Sequence, residues 1–295
     1  MKVLVTGSTG YLGSAICETL KSAGHAVAAM TRRQEKTASL HALGYQSVVA
    51  DIEDADALRA AARQADAVIH AALHWDSRTG ERDHAATETI LSALEGSGKP
   101  FIYTSGVWVM GDTRGRMLGE ISVLRTPPLL AWRPPVEELV LAARERGIQP
   151  MVFRPGMVFG RKGGFLAGMF KEARERGAVY LIGAGDYHWS CVHVSDLAAL
   201  YALALAEPAA GELFIATGGM PQPVKKIALA VAKACGVDGR VESLPLDEAR
   251  RQMGPMADCL AMDNKVGSTK AARFFGWTVK HPSVFDEIFS GSYLE

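Results

Sequence analysis

"VTGSTGYLGSAI", residues 5–16, sets glycines at 7, 10 and 13 directly behind a short apolar run. The run "KVLV" reads as a buried strand. After Gly10 the pattern becomes helical: Ala15, Ile16, Leu20 and Ala23 share a face, and Gly24 stops the helix. A glycine triplet between a strand and a helix makes a tight turn and lets backbone come close to a pyrophosphate. It also turns the N–H groups of a helix start toward the anion. Gly7, Thr9, Gly10, Tyr11, Leu12 and Gly13 are therefore candidate dinucleotide-binding residues.

Outward from this turn, short apolar runs alternate with helical patterns. "HAVAAMT" (25–31), "YQSVVAD" (45–51), "DAVIHAA" (66–72), "PFIYTSG" (100–106) and "PMVFRPG" (150–156) read as strands. "KTASLHALG" (36–44), "ADALRAAARQA" (55–65) and "AATETILSALEGSG" (85–98) read as helices. Such alternation predicts an α/β fold with a doubly wound parallel Rossmann sheet. Beyond Gly163 the alternation weakens, and helices over 164–177, 195–207 and 224–236 mix with short strands. The expected organisation is a dinucleotide-binding domain over 1–160, with 178–220 returning to it. A smaller, partly interleaved substrate region would comprise 161–177 and 221–295.

The bulk composition narrows the partners. Lys plus Arg equals Asp plus Glu at 32 each, so no field of one sign exists to attract nucleic acid or an anionic membrane. No run reaches the roughly 20 apolar residues of a membrane span. The four cysteines, 17, 191, 235 and 259, show no C-x-x-C spacing and read as small buried hydrophobes in a reducing compartment. The "MKVLV" start is too short for a signal-peptide core, so the cytoplasm is the expected location. The expected partner is a small molecule.

The end of the second strand bears on the choice of dinucleotide. An NAD site places a carboxylate there for the ribose 2′-hydroxyl. This chain has Thr31, then Arg32 and Arg33. A guanidinium binds a 2′-phosphate through two parallel hydrogen bonds, which favours NADP over NAD.

Several segments together resemble an extended short-chain dehydrogenase/reductase of the NAD-dependent epimerase/dehydratase group. They are "VTGSTGYLG", "ADI", "DAVIHAA", "FIYTSGVWVMGD", "FRPGMVFG", "VHVSDLAAL" and "STKAARFFGW". The resemblance implies that Asp51 and Ile52 flank the adenine and that Ala71 and Ala72 line the cofactor. It places Thr104 and Ser105 near the nicotinamide and Pro155, Gly156 and Val158 at its carboxamide end. It also implies a C-terminal region that binds substrate, and pairing of two copies through helices flanking the fourth and fifth strands.

The chain departs from that family at the catalytic triad of Ser (or Thr), Tyr and Lys. The Ser position falls on Gly106, the Tyr position on Leu129 and the Lys position on Arg133. No Tyr occurs between 103 and 180, and no Lys between 99 and 162. In "TPPLLAWRPPVEELV" (126–140), Pro134 and Pro135 belong in a first helical turn. Arg133 would then be at or before the cap, with Val136, Leu139, Val140 and Ala143 on the buried face and Gly147 ending the helix. The chain resembles the atypical members of the superfamily.

The remaining candidates for chemistry are His74, with a titration range suited to proton delivery, and Arg133, which orients by charge and cannot release a proton. Ser105 points to the opposite strand face from the family's hydroxyl, toward backbone or cofactor. Trp75, Trp108, Met110, Tyr187 and His188 are candidate substrate contacts, with Trp108 and Met110 lining either an apolar substrate pocket or the core; family members place a charged residue near His188 and commonly a Tyr at Met110. His193 reads as structural, before a helix capped by Ser195 or Asp196. No third ligand joins His70 and His74, so no metal site is expected. The leading reading is an NADP-dependent oxidoreductase acting on a small carbonyl or related unsaturated compound. A non-catalytic NADP-binding sensor and a nucleotide-sugar epimerase or dehydratase are the alternatives.

Overall fold

Residues 1–237 and 239–294 are described by a computed structural model. The chain comprises two compact units, Met1–Ser105 with Trp132–Arg154 and Ala198–Phe214, and Gly106–Ala131 with Pro155–Leu197 and Ile215–Glu295.

In the first unit the apolar runs form β1 (Lys2–Thr6), β2 (Ala26–Thr31), β3 (Gln46–Val49), β4 (Ala67–His70), β5 (Pro100–Thr104) and β6 (Gln149–Pro155). Neighbouring pairs from β3 through β2, β1, β4 and β5 to β6 are all parallel. The intervening helices are α1 (Tyr11–Ser22), α2 (Thr37–Ala42), α3 (Ala55–Gln64), α4 (Thr79–Leu94) and α5 (Arg133–Ala142). The sheet order runs 3-2-1-4-5-6, with one further strand beside β6. The order therefore reverses between β1 and β4, which opens a crevice at the carboxyl ends of those two strands.

Leu4, Val68 and Phe101 from the sheet pack with Leu58, Ile90, Leu94 and Val140 from the helices. Gly80 fits α4 against α5, because a Cβ there would stand 2.5 Å from Trp132 Cγ. A buried ion pair ties α5 to β6. Arg154 Nε donates to Glu137 Oε1 at 3.0 Å, and Arg154 Nη2 bonds Glu137 Oε2. The Ser105 hydroxyl donates to the same carboxylate.

The second unit opens with β7 (Met157–Gly160), α6 (Gly164–Arg176), β8 (Val179–Ile182), β9 (His188–Trp189) and β10 (Cys191–His193). Next in the chain come the helix α7 (Val194–Ala206) and the strand β11 (Glu212–Ala216), the seventh of the central sheet, most of whose residues belong to the first unit. Then come β12 (Gln222–Pro223), α8 (Val224–Ala234), β13 (Val241–Leu244), α9 (Leu246–Met253), α10 (Met256–Ala261), α11 (Lys270–Phe275) and α12 (Val284–Ser290). Three small sheets pair β7 with β10, β9 with β12 and β8 with β13.

β7 pairs with β10 outside the central sheet. Expectations change at α4 and α5. The helix expected from Ala85 begins at Thr79. Its first turns bury Thr79 and Asp83, which are held by hydrogen bonds, so apolar periodicity does not mark them. Arg133 is the first residue of α5 rather than its cap, and it is buried. Met110 is wholly buried with Val107, Val109, Ile215 and Val266, which is the packing of a core residue. Of the cysteines, 17, 191 and 259 are buried, and burial pushes the Cys17 thiol up to about 12.

Removing one partner of a buried ion pair leaves an uncompensated charge. Glu137→Ala is expected to lower the unfolding free energy by about 3–5 kcal/mol, and Glu137→Leu with Arg154→Met to recover most of that loss. Urea denaturation followed by tryptophan fluorescence checks both.

Candidate functional site

The turn after β1 is built by contacts that leave no space for side chains. Gly7 has φ +69°, and a Cβ there would lie 2.7 Å from the Ala71 carbonyl oxygen and 2.8 Å from Ala72 Cα. A Cβ on Gly13 would fall 2.1 Å from the Gly7 carbonyl oxygen. Gly13 thus lets α1 seat directly on the turn. Ser8 Oγ donates to the Met30 carbonyl at 2.7 Å and pins the turn to β2. Gly10 is the N-cap of α1. It supplies no side-chain cap, and the first turn carries no acidic residue, so the helix does not neutralise its own positive end.

Thr6, at the end of β1, organises the opposite wall. Its hydroxyl accepts from the Ala71 and Ala72 N–H groups at 3.2 and 3.3 Å and pairs with His70 Nδ1 at 2.7 Å. With two donors already on the oxygen, the hydroxyl proton goes to His70. His70 Nε2 then faces Asp83 Oδ1 at 3.3 Å, and Tyr103 donates to Asp83 Oδ2 at 2.5 Å. Burial, then the charge of Asp83, pushes the Tyr103 phenol well above its ordinary value against the opposing charge of Arg133. This buried relay holds Ala71 and Ala72 where the turn needs them. Thr6, Asp83 and Tyr103 were not candidates from the sequence; their spacing in the chain gives no sign of it.

A cavity of about 350 Å³ opens over these elements. Its walls bring together nine of the expected cofactor residues: Gly7, Thr9, Gly10, Arg32, Arg33, Asp51, Ile52, Ala71 and Ala72. Thr31, Lys36, His74 and Arg82 join them. Arg82 is neutralised by Glu53 at 3.0 Å and by Asp76. Arg32 Nη1 stands 3.7 Å from Asp51 Oδ2. Among the described residues, Arg33 and Lys36 have no carboxylate at ion-pair distance. The lining therefore offers an apolar slot beside Ile52, a glycine cradle at a helix start, and surplus positive charge next to β2. These features fit an adenine dinucleotide.

His74 belongs to this cationic corner. Its Nδ1 is 3.1 Å from Arg32 Nη1. Trp75 beside it is exposed and outside the cavity lining. Tyr11, Leu12 and Gly13 lie in α1 and do not line the cavity.

Thr104, Ser105 and Arg133 form a separate group at the end of β5. Arg133 Nη1 donates to the Thr104 carbonyl at 3.0 Å, and its guanidinium lies 4.6 Å from the Trp132 ring centre. Its buried Nε has no hydrogen-bond partner. Thr104 Oγ1 is 2.7 Å from the Tyr201 hydroxyl. Burial raises the Tyr201 phenol above its ordinary value, so it stays protonated. Ser105, spent on Glu137, is not free to meet a ligand.

The other expected residues lie in the second unit. Gly156 is buried where a Cβ would meet the Ser190 carbonyl oxygen at 2.5 Å; Pro155 is buried and Val158 half-buried. Trp108 packs with Leu129, Leu130, Cys259 and Met262, and its buried Nε1 lacks a partner. Tyr187 is buried, which pushes its phenol up to about 12. The half-buried His188 bonds Asp263 Oδ1 through Nδ1 at 2.9 Å. Burial opposes the charge of Asp263, but bonds from Thr113, Gly115 and His188 hold its carboxyl below the ordinary range. Asp263 was not expected from sequence.

His193, not Ser195 or Asp196, caps α7. Its Nδ1 accepts the Ser195 N–H at 3.2 Å, while Asp196 accepts from His281 N and Nδ1 at 2.8 and 3.0 Å. His193, Asp196 and His281 approach closely enough for a metal ion. The bond into His193 Nδ1 puts the ring proton on Nε2, however, and removes the lone pair a metal would need there.

The profile of the NAD dependent epimerase/dehydratase family matches residues 3–215. An uncharacterized protein of Schizosaccharomyces pombe is 31% identical over 300 residues, covering 100% of each chain. A 4-hydroxy-2-methyl-3-oxo-4-farnesyl-3,4-dihydroquinoline-1-oxide ketoreductase of Stigmatella aurantiaca is 27% identical, covering 85% of this chain and 78% of its own. The crystal structure of human epimerase family protein SDR39U1 with NADPH superposes with a TM-score of 0.80 at 20% identity, over 98% of each chain.

The glycine contacts make a direct test. Gly13→Ala is expected to destabilise the fold by about 1–3 kcal/mol and to abolish dinucleotide binding, since the new methyl meets backbone. Gly168→Ala, in α6 with no atom within 4 Å of the new Cβ, should stabilise it by about 0.5–1 kcal/mol. Thermal unfolding and coenzyme titration of both variants provide the comparison.

Proposed function

For a chain that belongs to the NAD-dependent epimerase/dehydratase family, in the extended short-chain dehydrogenase/reductase superfamily, we propose an NADP-dependent oxidoreductase. It reduces a small carbonyl or related unsaturated compound without the family's Ser-Tyr-Lys triad. The family binds NAD(P), and solved neighbours of this fold carry NADPH in one case and NAD in others. The observation that carries the choice of NADP is the corner next to β2. Thr31 stands where a ribose-binding carboxylate would, and Arg32, Arg33 and Lys36 line the same wall. A 2′-phosphate there meets three cations and one carboxylate, Asp51.

The bound nicotinamide supplies the hydride. The chain's own residues do the holding. Gly7, Gly10 and the start of α1 take the pyrophosphate, and Ile52 lies against the adenine. Arg133 fixes the end of β5 through the Thr104 carbonyl, and its unpartnered Nε is a donor for the cofactor ribose. With Gly106, Leu129 and Arg133 at the triad positions, no side chain there both holds and releases a proton near neutral pH. Beside Arg32, His74 is a residue of the phosphate corner, so the proton comes from water. The Stigmatella ketoreductase and a 2-alkyl-3-oxoalkanoate reductase of Stenotrophomonas maltophilia, 26% identical over 80% of this chain, favour a carbonyl as substrate.

The missing triad also supports a second reading, a coenzyme-binding sensor with no turnover. An epimerase or dehydratase would need the absent Tyr to take a hydroxyl proton.

Arg32→Ala is expected to weaken NADPH by about tenfold to a hundredfold and NADH by less than about threefold, read by fluorescence titration. Equal loss for both coenzymes overturns the NADP reading. NADPH consumption with a panel of small ketones and quinones is expected; tight binding with no consumption across the panel favours the sensor.

A further inference from the structure

The NADP reading leaves His74 without a catalytic task, and the geometry gives it another. Resting on that reading, we propose that His74 is a second determinant of coenzyme choice. Its charged imidazole and Arg32 together grip the 2′-phosphate, so that NADPH binding takes up a proton and NADH binding does not.

The argument starts from one contact. His74 Nδ1 lies 3.1 Å from Arg32 Nη1. A guanidinium only donates, so Nδ1 is the acceptor and carries no proton in this arrangement. The same guanidinium nitrogen lies 3.7 Å from Asp51 Oδ2. A proton on Nδ1 would bring two like charges within hydrogen-bond distance unless an anion stood between them. A 2′-phosphate is such an anion, with acceptor oxygens for both groups.

The surroundings support this exchange. From the segment after β2, Arg32, Arg33 and Lys36 line the cavity that His74 shares. After β3 come Asp51, near Arg32, and Glu53, which pairs with Arg78 and Arg82. In the β4–α4 loop, Asp76 is held by Arg82. In α4, Glu81 is held by Arg78. Glu53, Asp76 and Glu81 share Arg78 and Arg82, and with Arg32, Arg33, Lys36 and Asp51 included the cations around His74 outnumber the carboxylates by five to four. The loop is also fixed independently of the ring: Thr79 is buried, and its hydroxyl donates to the His74 carbonyl at 2.7 Å. The imidazole is therefore presented to the phosphate corner by a settled backbone.

The test is calorimetric titration of the full chain with NADPH and NADH between pH 6.5 and 8.5, in buffers of different ionisation enthalpy. For the unaltered protein, NADPH binding at pH 7.5 is expected to take up a substantial fraction of one proton and NADH binding none. The ratio of NADH to NADPH dissociation constants should rise about tenfold from pH 8.5 to 6.5. His74→Gln should flatten that rise and abolish the uptake beyond what the phosphate itself contributes. His74→Lys should hold the acid-side ratio throughout the range. A pH slope and proton uptake unchanged in His74→Gln overturn the inference while leaving NADP preference intact, provided Arg32→Ala still discriminates. Equal loss of both coenzymes in Arg32→Ala removes the NADP reading and this inference with it.

Discussion

The backbone of Gly7 lies against the backbone of Ala71 and Ala72, closer than any side chain permits. That approach joins the first strand's turn to the end of the fourth strand across the point where the sheet order reverses. It also sets the floor of the cavity. Gly13 repeats the constraint by seating α1 on Gly7, and Thr6 holds the other side with its two backbone bonds and the His70–Asp83–Tyr103 relay behind it. The result is a rigid cradle made of main chain, whose polar groups are aimed before any ligand arrives. Such preorganisation is what lets a helix start and a glycine turn hold an anion strongly.

Specificity is then left to side chains on the rim. At the corner after β2, Arg33 and Lys36 have no carboxylate partner among the described residues, while Arg82 is cancelled by Glu53 and Asp76. The division decides which cations are available to a ligand. A count of arginines in the sequence would have credited all of them equally. Arg133 shows the same distinction at the end of β5. It occupies the position of a family lysine, yet it is buried, bonded to a strand carbonyl and laid against Trp132. It can anchor and polarise, and it cannot exchange a proton.

Much of the fold was legible because it is written locally. The glycine spacing, the apolar runs and the helical faces each specify their own element, and the strands fall where those patterns place them. Nine of the expected cofactor residues line one cavity for the same reason, since they end strands or form the turn. What escaped reading depends on distant pairings. The meeting of His74 with Arg32 links positions 42 residues apart in two loops. Ser105 is taken by Glu137, which Arg154 also holds, and no periodicity announces either pairing. The early start of α4 was hidden because its buried residues, Thr79 and Asp83, are polar and hydrogen-bonded. For Met110 the sequence left pocket or core open, and only packing with Val266 and Ile215 places it in the core.

The central claim is that a phosphate-bearing dinucleotide lies in this cradle with its adenosine end between Ile52 and the Arg32 corner. A crystal structure of the chain grown with NADP⁺ tests it most directly. The account predicts the pyrophosphate at the amino end of α1 and the 2′-phosphate within hydrogen-bond distance of Arg32. Coenzyme bound elsewhere, or an empty cradle at saturating NADP⁺, would contradict it.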